Sequence, residues 1–170
     1  MTRQFRIALA AALLCGAGHA AAADLSLSVE IPQLEVAEYH RPYVAIWVEG
    51  ADQAIAANLA VWYQVRGDHT KWLPDLRQWW RRGGRDLKVP VDGLTGATRP
   101  VGQHLLKFDA KAAPLADLKP GKYELVVEAV REVGGREALR IPFEWPIKKA
   151  KRDSVKGTKE LGAVALQLNP

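Results

Sequence analysis

The longest unbroken alternation in this 170-residue chain runs from Lys122 to Glu132. Tyr123, Leu125, Val127 and Ala129 hold one parity, and Glu124, Val126, Glu128 and Val130 hold the other. A two-residue period is that of a β-strand, whose successive side chains leave on opposite faces. Lys119-Pro120-Gly121 supplies a turn before it, and Gly134-Gly135 supplies a hairpin turn after it. The chain then returns over Glu137–Ile147 with Leu139, Ile141, Phe143 and Trp145 inward. This pair calls for a fold made of antiparallel sheets.

The rest of the chain matches it. Leu25, Leu27, Val29 and Ile31 alternate with Ser26, Ser28 and Glu30 until Pro32 ends the run. Glu35–Pro42 reads as a connection, and Tyr43–Glu49 as a strand with Val44, Ile46 and Val48 inward and Trp47 on the other face. Across the Gly50-Ala51-Asp52 turn, Leu59, Val61, Tyr63 and Val65 form one face of a hairpin partner. Leu87–Val91 is a short extended piece, and Gly102–Asp109 is a strand with His104, Leu106 and Phe108 on one side. Lys148–Lys159 is polar and basic and is expected to be a long mobile loop before a last strand over Leu161–Leu168. Only Trp72–Arg82 breaks the period. Leu73, Leu76, Trp79 and Trp80 fall at helical spacing there, and Gly83-Gly84 stops the segment. It reads as a short helix across one end of the sheets, either an aromatic platform for a planar ligand or a lid over the core. The expected fold is all-β, an immunoglobulin-like antiparallel β-sandwich of seven or eight strands with one short Trp-rich helical segment; a small barrel is the alternative.

The first twenty-three residues stand apart. Arg3 and Arg6 give a basic start, Ile7–Ala17 an apolar run, and Ala20–Ala23 small residues before Asp24. That order is the signature of a secretory signal peptide, cut after Ala23 or Ala20. Its apolar run is too short for a stable bilayer span. Residues 24–170 are then expected to form a single domain, exported to the periplasm and without a membrane span. Cys15, the sole cysteine, leaves with the signal, so disulfide and thiolate chemistry are excluded from the mature chain. It lacks the leucine three places before it that a lipoprotein signal carries, since Ala12 stands there. The formal charge of +5 falls to +3 once Arg3 and Arg6 are gone. Its excess sits in Arg81-Arg82-Gly83-Gly84-Arg85 and Lys148–Arg152, where solvated faces or anionic contacts suit an exported protein better than nucleic acid does.

One run carries chemistry rather than packing: Asp92-Gly93-Leu94-Thr95-Gly96-Ala97-Thr98, followed by Arg99-Pro100. It has no hydrophobic period and reads as an exposed loop with two hydroxyls, small Gly96 and Ala97 between them, and the Asp92 carboxylate upstream. A turn with no cofactor could carry the same residues. The pattern Asp-x-x-(Ser/Thr)-Gly-Ala-Thr resembles the site at which a flavin transferase esterifies FMN onto a threonine in flavin-carrying subunits of sodium-pumping NADH:quinone reductase and the related Rnf complex. The resemblance implies covalent FMN on Thr98, with Asp92 docking the segment or meeting the transferase's Mg²⁺. Gly96 and Ala97 would let the backbone enter a narrow cleft, and Thr95 fills the position where those sites carry serine or threonine. Those sites continue with small hydroxyl residues, whereas here Arg99 and Pro100 follow.

A wider resemblance spans nearly the whole of 24–170. Arg41–Glu49, Trp72–Leu76 with Trp79-Trp80, Thr95–Pro100, Pro120–Tyr123 and Glu160–Val164 look like an uncharacterised family of predicted periplasmic proteins that carries a domain-of-unknown-function label. The resemblance implies export, a β-sandwich, and association with PepSY-type membrane reductases and FMN transferases. Two functions remain open: a covalent FMN carrier in extracytoplasmic electron transfer, at most a redox component rather than a self-sufficient enzyme, or a binding module without a cofactor. Metal chemistry has only His40, His69 and His104 to draw on, at distant positions. Hydrolase chemistry lacks a Gly-x-Ser-x-Gly elbow, and Ser154 lies in a basic stretch. No catalytic residue and no metal ligand is assigned.

Overall fold

The computed structural model describes residues 23–170 and holds two facing sheets. The expected signal-peptide cleavage, Cys15 included, lies outside the described residues. Nine strands follow in chain order: β1 (Asp24–Ile31), β2 (Tyr43–Glu49), β3 (Ile55–Tyr63), β4 (Thr95–Ala97), β5 (Gly102–Asp109), β6 (Gly121–Val130), β7 (Arg136–Trp145), β8 (Lys151–Lys156) and β9 (Ala163–Asn169). One sheet has the order β5-β1-β9-β8 and the other β4-β3-β2-β6-β7. All pairings are antiparallel except the short β3–β4 ladder. The fold is the all-β sandwich its alternating strands require, not a closed barrel.

Alternation fills the space between the sheets. Leu25, Leu27, Val29 and Ile31 from β1, with Val164, Leu166 and Leu168 from β9, face Val44, Ile46, Val48, Leu125 and Val127 across the sandwich. Leu25, Leu27 and Leu125 are wholly buried, each contributing roughly 1.5–3 kcal/mol by burial. The two hairpins form where their turn residues stand. β2 and β3 pair across Gly50–Ala54, and β6 and β7 pair from Val130↔Arg136 to Gly121↔Trp145.

Four expectations are corrected by the structure. First, Leu59 does not share a face with Val61 and Tyr63. The β2–β3 register runs Ile46↔Ala60 and then Trp47↔Asn58, which leaves Leu59 as the extra residue of a β-bulge. Leu59 and Trp62 therefore point into the sandwich, whereas Val61 and Tyr63 point outward. Second, Lys148–Lys159 is not a long loop. Lys151–Lys156 is a strand pairing with β9, with Arg152 and Ser154 exposed and Val155 packed against the core. An edge strand rich in charge is the sort that resists pairing with another chain.

Third, the Trp-rich segment lies over the outer face of the five-stranded sheet rather than across its end. It comprises a 3-10 turn (Thr70–Asp75), helix α1 (Arg77–Arg82) and a second 3-10 turn (Gly84–Asp86). Leu73, Leu76 and Trp79 are buried against Ala45, Trp47, Val61, Tyr63 and Val126. This second apolar layer explains why both faces of β2 and β6 are apolar. Buried Glu128 on β6 holds the helix in place by accepting the backbone N–H groups of Gln78 and Trp79, at 3.0 and 2.9 Å. Trp79 Nε1 donates to Asn58 at 2.8 Å, and Arg82 reaches back to buried Glu49. Part of the Arg81–Arg85 basic cluster is thus bound to the scaffold instead of facing a ligand.

Fourth, Asp92–Thr98 is not a free exposed loop. Thr95–Ala97 forms β4, parallel to β3, and Leu94 packs against the outer apolar layer. The backbone of β3 offers unpaired groups on that side, and the segment meets them. Val61 N–H donates to Leu94 O at 2.9 Å, and Thr98 N–H donates to Tyr63 O at 3.2 Å. Buried backbone groups seek such partners.

Candidate functional site

The residues singled out in Asp92–Thr98 divide by role. Asp92 is exposed in a turn, where its Oδ1 accepts the N–H of Gly93 at 3.0 Å. The Thr95 hydroxyl is committed to the scaffold. It donates to Val91 O at 2.9 Å and accepts Val91 N–H at 3.1 Å, closing the turn that enters β4. Gly96 pairs opposite Trp62, and Ala97 is exposed opposite Tyr63. Side-chain hydrogen bonds along 91–104 use Asp92, Thr95 and His104, so the half-buried Thr98 hydroxyl has no such partner among the described residues.

Thr98 lines a large cleft, while Arg99 lines a smaller hollow of about 280 Å³ at the open edge of the sandwich. There the Arg99 guanidinium carbon lies 5.3 Å from the ring centre of Trp62, a cation–π contact. His104 meets the same indole edge-on at 5.7 Å, and its Nε2 lies 2.8 Å from Pro100 O. Arg99-Pro100, the departure from the flavin sites, is therefore occupied in closing the sandwich over Trp62. Gly96 and Thr95 line the same hollow, and Asp92 lines neither it nor the cleft.

The cleft has a volume of about 690 Å³, within the roughly 300–1,000 Å³ of small-molecule sites. Segments far apart in sequence meet there: Tyr39–Arg41 and Tyr43, Gln64 and His69, Trp72 with Asp75 and Arg77, Thr98, and the β6–β7 turn from Val130 to Arg136. One wall is rigid. Buried Arg131 donates from Nε to buried Glu160 Oε2 at 2.9 Å, and Glu160 Oε1 accepts the N–H of exposed Gly135 at 2.6 Å. Gly134 is needed here, because an added Cβ would stand 2.5 Å from the Arg131 guanidinium carbon. Breaking such a buried pair strands a charge and costs about 3–5 kcal/mol.

The other wall is open. Trp72 is 48% exposed, with the Lys71 ammonium 5.5 Å from its ring centre. Arg41 and Arg77 are exposed and in no ion pair among the described residues, whereas Arg131 is spent on Glu160 and Arg136 lies 3.9 Å from Glu128. His40 sits between Glu38 at 2.8 Å and Glu132 at 3.6 Å. Burial raises the Tyr39 phenol above its ordinary value, partly offset by Arg131 and Arg41, and its buried hydroxyl has no hydrogen-bond partner among the described residues. Burial raises Tyr43 as well. Among the described residues no three metal-ligating side chains converge; His40 and His69 line the cleft, and His104 lies at the sandwich edge.

Of the residues expected to bind a cofactor, then, only Thr98 faces the cleft. Tyr39, Arg41, Arg77, Arg131 and Arg136 belong to no motif that the sequence offers as a site. The dense Tyr39-His40-Arg41 run was the one local signal, since a plain connection rarely needs three such side chains in a row.

Fold and site together define a two-sheet β-sandwich with an aromatic and cationic cleft of cofactor size beside an edge strand. A family model described as "Predicted periplasmic protein (DUF2271)" matches residues 24–163. The chain belongs to that family of predicted periplasmic proteins, whose function is unknown. No curated protein matches the chain. No solved structure matches it. Among the described residues no helix is long and apolar enough to cross a membrane.

Proposed function

We propose that the protein is a covalent FMN carrier of the periplasm, flavinylated on Thr98 and serving extracytoplasmic electron transfer with a PepSY-type membrane reductase. In this reading the chain is exported by the signal peptide at 1–23, and residues 24–170 act as one β-sandwich domain. The observation that carries it is the position of Thr98. Its hydroxyl is free of hydrogen bonds among the described residues and stands on a cofactor-sized cleft, while Thr95, the other hydroxyl of the motif, is locked into a turn.

Thr98 has a simple task in the transfer. Its Oγ forms a bond to the FMN-side phosphorus of FAD as the bond from that phosphorus to the bridging oxygen breaks; AMP departs, and the hydroxyl proton passes to a base of the transferase. Asp92, exposed at the near end of β4, is placed for recognition by the transferase rather than for contact with the cleft. β4 is only three residues long and lies at a sheet edge, so few ladder bonds must open to present Thr98 to another protein. FMN, once bound, supplies the exchange of electrons; the chain supplies attachment and surroundings.

Co-expression with a periplasmic FMN transferase tests the reading. A single adduct of FMN less water should map to the peptide containing Thr98 and vanish in Thr98→Ala. An unmodified wild-type protein beside a flavinylated control substrate would leave a binding module without a covalent cofactor.

A further inference from the structure

We propose that the cleft beside Thr98 is the seat of the flavin ring, with Trp72 as its stacking face and Arg41 and Arg77 as its anion contacts; this rests on flavinylation at Thr98. Three features point there and not into solvent. Thr98 lines the cleft and is absent from the smaller hollow, so a group attached at Oγ starts on the cleft side. The cleft volume of about 690 Å³ accommodates a three-ring heterocycle and its ribityl chain within the roughly 300–1,000 Å³ typical of such sites.

The lining is the third feature. A monomeric soluble protein has little packing reason to leave an indole half exposed beside a concavity, and Trp72 is 48% exposed while Leu73 next to it is 1% exposed. The same 3-10 turn thus buries one apolar side chain for the fold and presents the other to the cleft. Planar aromatic faces stack on planar ligands. A phosphodiester on Thr98 carries one negative charge, and guanidinium groups match phosphate oxygens in pairs. Arg41 and Arg77 line the cleft without an ion-pair partner among the described residues, so their donors are available for it. Nearby, Asp75 and Glu132 line the rim, and Glu132 is shared with His40.

The test uses the full-length protein flavinylated by co-expression, with mass spectrometry establishing the adduct first. Flavin fluorescence is then compared between the folded protein and the flavopeptide released from it by protease. A ring stacked on an indole is quenched, so the folded protein should be several-fold dimmer. Its residual emission should also have the anisotropy of the whole protein and resist the neutral quencher acrylamide. Trp72→Leu should recover much of the emission at an unchanged adduct mass. Arg41→Gln with Arg77→Gln should lower the anisotropy and raise acrylamide access, with Trp72 intact. A fully flavinylated wild-type protein that is as bright and as accessible as its own flavopeptide would overturn the docked ring and leave flavinylation standing. Absence of the adduct beside a modified control substrate would overturn both. Trp72 and both arginines are exposed, and an unchanged thermal transition of each variant would separate loss of docking from loss of fold.

Discussion

Glu128→Ala should uncouple the Trp-rich segment from the sheet. The Glu128 side chain is wholly buried on β6, between the outer sheet face and α1. Its carboxylate accepts Gln78 N–H at 3.1 and 3.0 Å and Trp79 N–H at 2.9 Å, so two donors lose their acceptor when it is truncated. Each hydrogen bond to a charged group contributes about 1.5–3 kcal/mol, and Trp79 N–H is buried where water cannot replace the acceptor. Gln78 is half-buried, and its loss belongs at the low end. Arg136 Nε, at 3.9 Å and 39% exposed, adds little because solvent screens it. Release of the carboxylate from a desolvated site offsets part of the cost. The net destabilisation should be about 2–4 kcal/mol for Glu128→Ala, and about 1–2 kcal/mol for Glu128→Gln, which keeps one acceptor oxygen. Urea titration followed by tryptophan fluorescence reads this directly, as a lower midpoint with an unchanged slope. A Glu128→Ala protein within about 0.5 kcal/mol of wild type would refute the reasoning, and the segment would then be held by Leu73, Leu76 and Trp79 alone.

Two further outcomes are expected. An added Cβ on Gly96 would lie 3.8 Å from Trp62 and 3.9 Å from Arg99, ordinary contacts, so Gly96→Ala should keep wild-type stability within about 0.5 kcal/mol yet accept less FMN in the transferase assay. Equal flavin loading would show that the small residue is not read by the transferase. Glu137 is raised by burial but lowered more by four backbone N–H bonds from Thr158, Lys159, Glu160 and Leu161, for a net fall below the usual carboxylate value. Because the folded form holds its proton less tightly than the unfolded chain, the stabilisation is full above the unfolded carboxylate pKa and is lost as pH falls through the folded one. The stability gap between wild type and Glu137→Gln should therefore be widest near neutrality and shrink in acid, and a gap that is flat with pH would refute it.

Strand phase was legible because it is local. The parity of Leu25 to Ile31 and of Tyr123 to Ala129 survives into the sandwich core, since a two-residue period can bury one face in only one way. Val126 and Val130 on the other parity are apolar as well, and Trp79 with its neighbours supplies their cover, a long-range contact that the strand's own pattern does not name. The bulge at Leu59 was illegible because one inserted residue inverts parity without altering composition. β8 was hidden for a different reason. Lys151, Arg152 and Lys156 look like a solvated loop, and an edge strand that faces water on one side needs little apolar signal.

The site was legible only in part, because its side chains converge only in the folded chain. From residue types alone, Thr98 and Arg99 belong to one exposed loop, and Arg99-Pro100 counts against the flavin motif. In the folded chain the two adjacent side chains line different concavities, and the apparent contradiction separates into two roles. Thr98 turns to the cleft, and Arg99 turns to Trp62, where it closes an edge that β4 is too short to close. The fold also sorts the two hydroxyls, since Thr95 is the one bound into the Val91 turn. A motif written as a string cannot show which of its hydroxyls faces an open concavity. That depends on Tyr39, Arg41, Trp72 and the β6–β7 turn, brought to one place from segments with no sequence relation to the motif.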